Sequence, residues 1–177
     1  MIVWIIVGIL VLAILASILD QKKKASNQNK AFTQNGLAPT KKLGDFWIDE
    51  TNKKWAVAKL GGMPKIHSFT DIIDFELVEN GTNYKSKGGI TRSLIGGLTF
   101  GVAGAVVGAT TAKKQATINQ LSINIFVSDI SDPLVTINYI NTEIKTDGII
   151  YQNLIHLAKD TIAVLTAIKN QNDTIPS

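Results

Sequence analysis

The chain contains no cysteine. A disulfide framework, a thiolate metal site and a cysteine nucleophile are therefore excluded. Its two histidines, His67 and His156, are too few without cysteine to furnish a dedicated transition-metal site. The stretch "HSFTDIID" gathers Ser68, Asp71 and Asp74 near His67, but a strand end followed by a turn explains that grouping more simply than a hydrolase centre. The phosphate-loop pattern G-x-x-x-x-G-K-[ST] is missing too. In "GAVVGATTAKK" only three residues separate the glycines, and lysine follows only at Lys113. No G-x-G-x-x-G occurs either. The sequence thus offers no catalytic residue, no cofactor-binding motif and no metal ligand set, and the expectation is a protein that is not an enzyme. A basic stripe interleaved with aromatics is also lacking, so nucleic acid is not an expected partner.

Two further absences organise the chain. From Ile2 to Leu19 there is no charged residue and a single glycine, Gly8. As a helix this run spans about 27 Å, close to the thickness of a hydrocarbon core. A cleaved signal peptide would need a positive n-region and a small-residue cleavage site; no lysine precedes the run and no clear A-x-A follows it. The expectation is a retained transmembrane anchor over residues 1–20. From Gln21 to Lys42 there is no acid, but there are six lysines. Lys22, Lys23 and Lys24 stand directly after the apolar run. Lysine bias places that side in the cytoplasm, which gives a single-pass cell-membrane protein with a cytoplasmic C-terminal domain and Trp4 at the outer interface. These lysines also attract an anionic leaflet, each contributing about 1 kcal/mol close to the surface. Residues 21–43 read as a flexible, lysine-rich linker.

From Gly44 the pattern turns to period two. "FWIDE" and "KWAVAKL" flank a polar gap, and Gly61, Gly62 and Pro64 then break the chain. "IIDFELVEN" places Ile73, Phe75 and Leu77 on one face. "INQLSINIFVSD" does the same with Leu121, Ile123, Ile125 and Val127, and "LVTINYI" with Val135, Ile137 and Tyr139. Clean alternation marks half-buried antiparallel strands, not parallel ones. The period then becomes 3.6: Ile150, Leu154, Leu157, Thr161, Leu165 and Ile168 form one helical stripe. Asp147 or Thr146 is the expected N-cap. Residues 44–170 therefore read as one α+β domain, with 171–177 a polar tail.

One block interrupts the strands. Five glycines fall between Gly96 and Gly108, at a helical cost of about 1 kcal/mol each against alanine. Gly97, Gly101, Gly104 and Gly108 share a helical face, which permits close approach of another backbone. The segment must leave and return on the same side, because the strands flanking it belong to one sheet. A helical hairpin over residues 90–114 does this, with Arg92 at one foot and Lys113 and Lys114 at the other. Its small face and Phe100 would then contact the membrane or a partner, including a second copy of the chain. The alternative packs the hairpin against its own domain.

The order of elements, strands followed by a closing helix, resembles a pleckstrin-homology-like (PH-like) sheet or half-barrel. The block "GGITRSLIGGLTFGVAGAVVGATTAKK" is similar to that of bacterial and phage proteins in which a glycine-rich stretch interrupts a small β domain. The size, the anchor and the Asn/Ile/Lys-rich composition also resemble the membrane-anchored superinfection-exclusion proteins of lactococcal prophages. That resemblance implies a non-enzymatic factor that blocks DNA entry by meeting a phage injection protein or a host membrane receptor. The other class open to this sequence is a membrane-associated scaffold or lipid-sensing module of the envelope-stress type.

Overall fold

The computed structural model describes residues 2–58, 65–85 and 117–174. A long helix, α1 (Ile2–Gln34), opens the chain. Four short strands follow: β1 (Lys41–Leu43), β2 (Phe46–Asp49), β3 (Lys54–Val57) and β4 (Ile66–Ser68). A single 3-10 turn (Phe69–Asp71) leads into β5 (Ile72–Glu79) and β6 (Thr82–Lys85). After the glycine-rich region come β7 (Thr117–Ile118), β8 (Leu121–Val127), β9 (Leu134–Ile140) and β10 (Ile144–Lys145). The C-terminal helix, α2 (Ile149–Asp173), ends the described chain.

The strands make two four-stranded sheets, ordered β1-β2-β3-β4 and β6-β5-β8-β9, and a small β10-β7 ribbon. Among the described residues every pairing is antiparallel, as the alternating pattern predicts. One core lies between the sheets and α2. It joins Phe46, Ile48, Trp55 and Val57 of the first sheet to Phe75, Leu77, Ile123, Ile125 and Ile137 of the second. Tyr151, Ile155, Ala158, Ile162 and Leu165 of α2 close it. This is the α+β arrangement expected, with antiparallel sheets capped by a C-terminal helix.

Three local expectations need correction. Ile73 is not on the core face of β5: it is exposed, while Ile72 is buried. The register shifts between Ile72 and Asp74. A bulge there sets two residues against one on β8, which moves the inward phase by one position. On α2 the expected Thr161, Leu165 and Ile168 are buried, but the first half of the stripe runs through Tyr151, Ile155 and Ala158, and Ile150 is exposed. Leu154 and Leu157 pack only at its margin. Neither Thr146 nor Asp147 caps α2; Gly148 is the N-cap and supplies no side-chain bond.

The largest difference concerns residues 21–43. This stretch is not a flexible linker as far as Gln34, because α1 continues through it without a break. Alanine, lysine, glutamine and the absence of proline before Pro39 all permit that continuation. Among the described residues no helix is long and apolar enough to cross a membrane.

Candidate functional site

The end of α1 is fastened to the first sheet by a helix cap. The Leu37 N–H donates to the Phe32 carbonyl (3.0 Å) and the Gly36 N–H to the Thr33 carbonyl (3.1 Å). Gly36 has φ +85°. That is a Schellman arrangement: glycine takes the left-handed position, and the residue after it packs against the third residue from the helix end. Phe32 and Leu37 are both 0% exposed. They pack with Trp47, Ala56 and Ala58, which point away from the main core. The first sheet is therefore buried on both faces, which explains why "FWID" reads as a continuous rather than an alternating buried run.

Polar contacts surround this joint. Lys42 Nζ lies 3.6 Å from the Trp47 ring centre and bonds Asn29 Oδ1 of α1. Lys54 Nζ donates to the Gly36 carbonyl (3.1 Å). The buried carboxylate of Asp49 accepts from the Ala38 N–H (2.9 Å) and from both the backbone and side chain of Asn52. Burial alone would raise its pKa; the bonds from Asn52 and Ala38 and the charge of Lys54 outweigh that, and hold it below the usual carboxylate range.

The other end of α1 has the opposite character. Trp4 is 80% exposed, and Ile9, Leu10, Val11 and Leu12 are each about half exposed or more. Four consecutive residues at 100° per step cover the whole circumference, so this is not one greasy stripe. Lys22 and Lys23 are exposed beyond it; of the Lys24 side chain nothing is described.

The glycine-rich contact residues expected from the sequence lie outside the described residues: Arg92, Gly97, Phe100, Gly101, Gly104, Gly108, Lys113 and Lys114. Their surroundings are described. The segment departs after β6 and returns at β7, and β5 pairs with β8 from Ile72↔Val127 to Glu79↔Leu121. The strands directly flanking the segment are not in one sheet, because β6 belongs to the second sheet and β7 to the ribbon with β10; the next strands out, β5 and β8, do pair. A polar clasp locks them together. Asn80 Oδ1 accepts from the Asn119 N–H (3.0 Å), and the Gly81 N–H donates to Gln120 Oε1 (3.1 Å).

The residues grouped near His67 in sequence are each engaged in local contacts. The imidazole is buried and stacks on Trp55 at 4.6 Å and 21°. Burial first, then the charge of Lys65, lowers its pKa, with Asp71, Asp129 and Asp132 opposing. Ser68 and Asp71 form a capping box around the 3-10 turn, and Asp74 pairs with Lys169 at 2.6 Å. His156 is exposed on α2. Among the described residues no group of acids and histidines could hold a metal ion.

The sequence reading missed the joint between α1 and the first sheet. Its signal was present in "AFTQNGLAP": a glycine followed by leucine and then proline, with phenylalanine four residues before the glycine. Comparison with known families finds a match over residues 30–141 to the family described as "Glycine zipper containing PH domain". No curated protein and no solved structure matches. The match begins in the last turns of α1, spans both sheets and contains the glycine-rich block. With the two antiparallel sheets, the closing helix and more than half of the chain matched, this protein belongs to the glycine-zipper-containing PH domain family.

Proposed function

We propose that the chain is a membrane-tethered, non-enzymatic binding module whose PH domain is held at the cytoplasmic face by α1. One observation carries the reading: the first half of α1 exposes apolar side chains around its whole circumference, while its other end is docked on the domain. A helix that is apolar all round requires an apolar surrounding, and nothing in the described chain supplies one. The sequence from Ile2 to Leu19 is long enough for a lipid core. Lys22, Lys23 and Lys24 follow at the position of the headgroups and set the orientation. PH domains commonly bind lipids or membrane components, which fits this placement.

The narrower reading is phage superinfection exclusion, in which the domain blocks DNA entry by binding a membrane or injection-machinery component. It rests on resemblance in layout and composition. In this reading the small face of Gly97, Gly101, Gly104 and Gly108 makes the contact, because leucine-sized bulk there would prevent close approach. The test is expression in a sensitive host, with adsorption, DNA entry and plaque formation scored separately. The native chain should leave adsorption unchanged and reduce DNA entry. A variant with Gly101→Leu and Gly104→Leu, equally abundant in the membrane, should lose the block. Normal DNA entry with the native chain present at the membrane would refute exclusion and leave the alternative of an envelope scaffold or lipid-sensing module.

A further inference from the structure

Anchors of this kind are commonly joined to their domains by loose linkers, and the lysine-rich stretch here reads as one. The contacts say otherwise. About 20 Å of continuous helix separates Leu19 from Phe32. Helix α1 is then held at several points. Asn29 is bonded by Lys42, Phe32 is buried against Trp47, Gly36 is bonded by Lys54, and Leu37 is buried beside Phe32. A joint fastened at one point can swivel. Ties that begin at Asn29 and continue past the helix end fix both the tilt and the rotation of α1 against the sheet.

We propose that α1 and the first sheet form one rigid strut, which sets the height and the rotational orientation of the domain. The consequence for the membrane rests on the anchor reading above: the domain presents one constant face at a set distance from the bilayer and does not sample the surface at the end of a tether. Its partner must therefore be met in that pose. The ties between the end of α1 and the sheet are of two different kinds: a buried apolar cluster, and side-chain hydrogen bonds from Lys42 to Asn29 and from Lys54 to the Gly36 carbonyl. Each is an independent restraint, and neither is explained by a need to stabilise the main core, which lies on the opposite face of the sheet.

The absence of cysteine makes the test clean. The full chain carries spin labels at Ser17→Cys and Glu50→Cys, and the distance distribution is measured in lipid nanodiscs and in detergent. A pair within the domain, Glu50→Cys with Asp160→Cys, gives the reference width. The strut predicts one narrow peak for the first pair, as narrow as the reference. Inserting Gly-Ser-Gly-Ser between Ser26 and Asn27 leaves the joint and the domain untouched and should broaden the first pair alone. Phe32→Ala with Leu37→Ala should do the same. A native distribution as broad as that of the insertion variant would overturn the proposal. Because the distances are internal to the chain, a narrow peak from protein that fails to enter nanodiscs would refute the anchor while supporting the strut.

Discussion

The ring of Phe32, near the end of α1, lies 4.2 Å from that of Trp47 on β2, with 37° between their planes. Both side chains are buried on the face of the first sheet that the main core does not use. Truncating Phe32 to alanine would leave a void under Trp47 and remove the partner of Leu37. Phe→Ala substitutions at buried positions cost about 3–5 kcal/mol. The loss should appear as a lower denaturation midpoint in unfolding followed by tryptophan fluorescence. An unchanged midpoint would mean that α1 does not rest on this sheet.

Two glycines separate backbone strain from packing. Gly44 and Gly81 both have positive φ, +60° and +79°. Alanine at either position should cost about 1–2 kcal/mol for the left-handed conformation. A Cβ at Gly44 would also stand 3.0 Å from Leu157 Cδ2 on α2, whereas one at Gly81 would meet nothing within 4 Å. Gly44→Ala should therefore lower the melting temperature more than Gly81→Ala. Equal shifts would show that α2 does not sit against the β1–β2 turn.

His67 gives the stability a pH dependence of known sign. Its folded pKa is lowered by burial and by Lys65, so the unfolded chain takes up the proton first. Above the unfolded value of about 6.5 the group is neutral in both states and contributes no slope. As pH falls below that value stability should decline, levelling off once the folded group is protonated. His67→Phe keeps a ring on Trp55 and should abolish this decline between about pH 6.5 and the folded pKa. Melting curves across that range decide it; the same slope in both proteins would contradict the assignment.

Much of the domain was legible in the sequence, and the failures have physical causes. The alternation in Leu121–Val127 was read correctly because β8 is a central strand with one face in the core and no break before Val127 in its inward phase. Ile73 was misplaced because a bulge shifts the phase without changing composition. Only the first half of the α2 stripe differs, because apolar residues occupy both Ile150 and Tyr151, Leu154 and Ile155, so periodicity alone does not choose between them; Thr161, Leu165 and Ile168 are buried as expected. The joint at Phe32, Trp47 and Leu37 escaped because its contacts are long-range, and polar composition concealed a helix. The polar clasp at Asn80 and Gln120 was likewise invisible, since only the fold brings those two turns together.

In the proposed function the first half of α1 holds this PH domain at a membrane. The direct measurement is alkaline extraction of membranes from cells expressing the full chain, beside a variant carrying Leu10→Lys and Ile14→Lys. A lysine at the centre of a spanning helix costs about 2.5–3.5 kcal/mol of insertion free energy, and both positions lie on the exposed apolar surface, away from the domain. The native chain should stay in the extracted membrane pellet, and the variant should move to the supernatant with its domain still folded. Native protein released by alkali, or a variant that remains in the pellet, would contradict that reading.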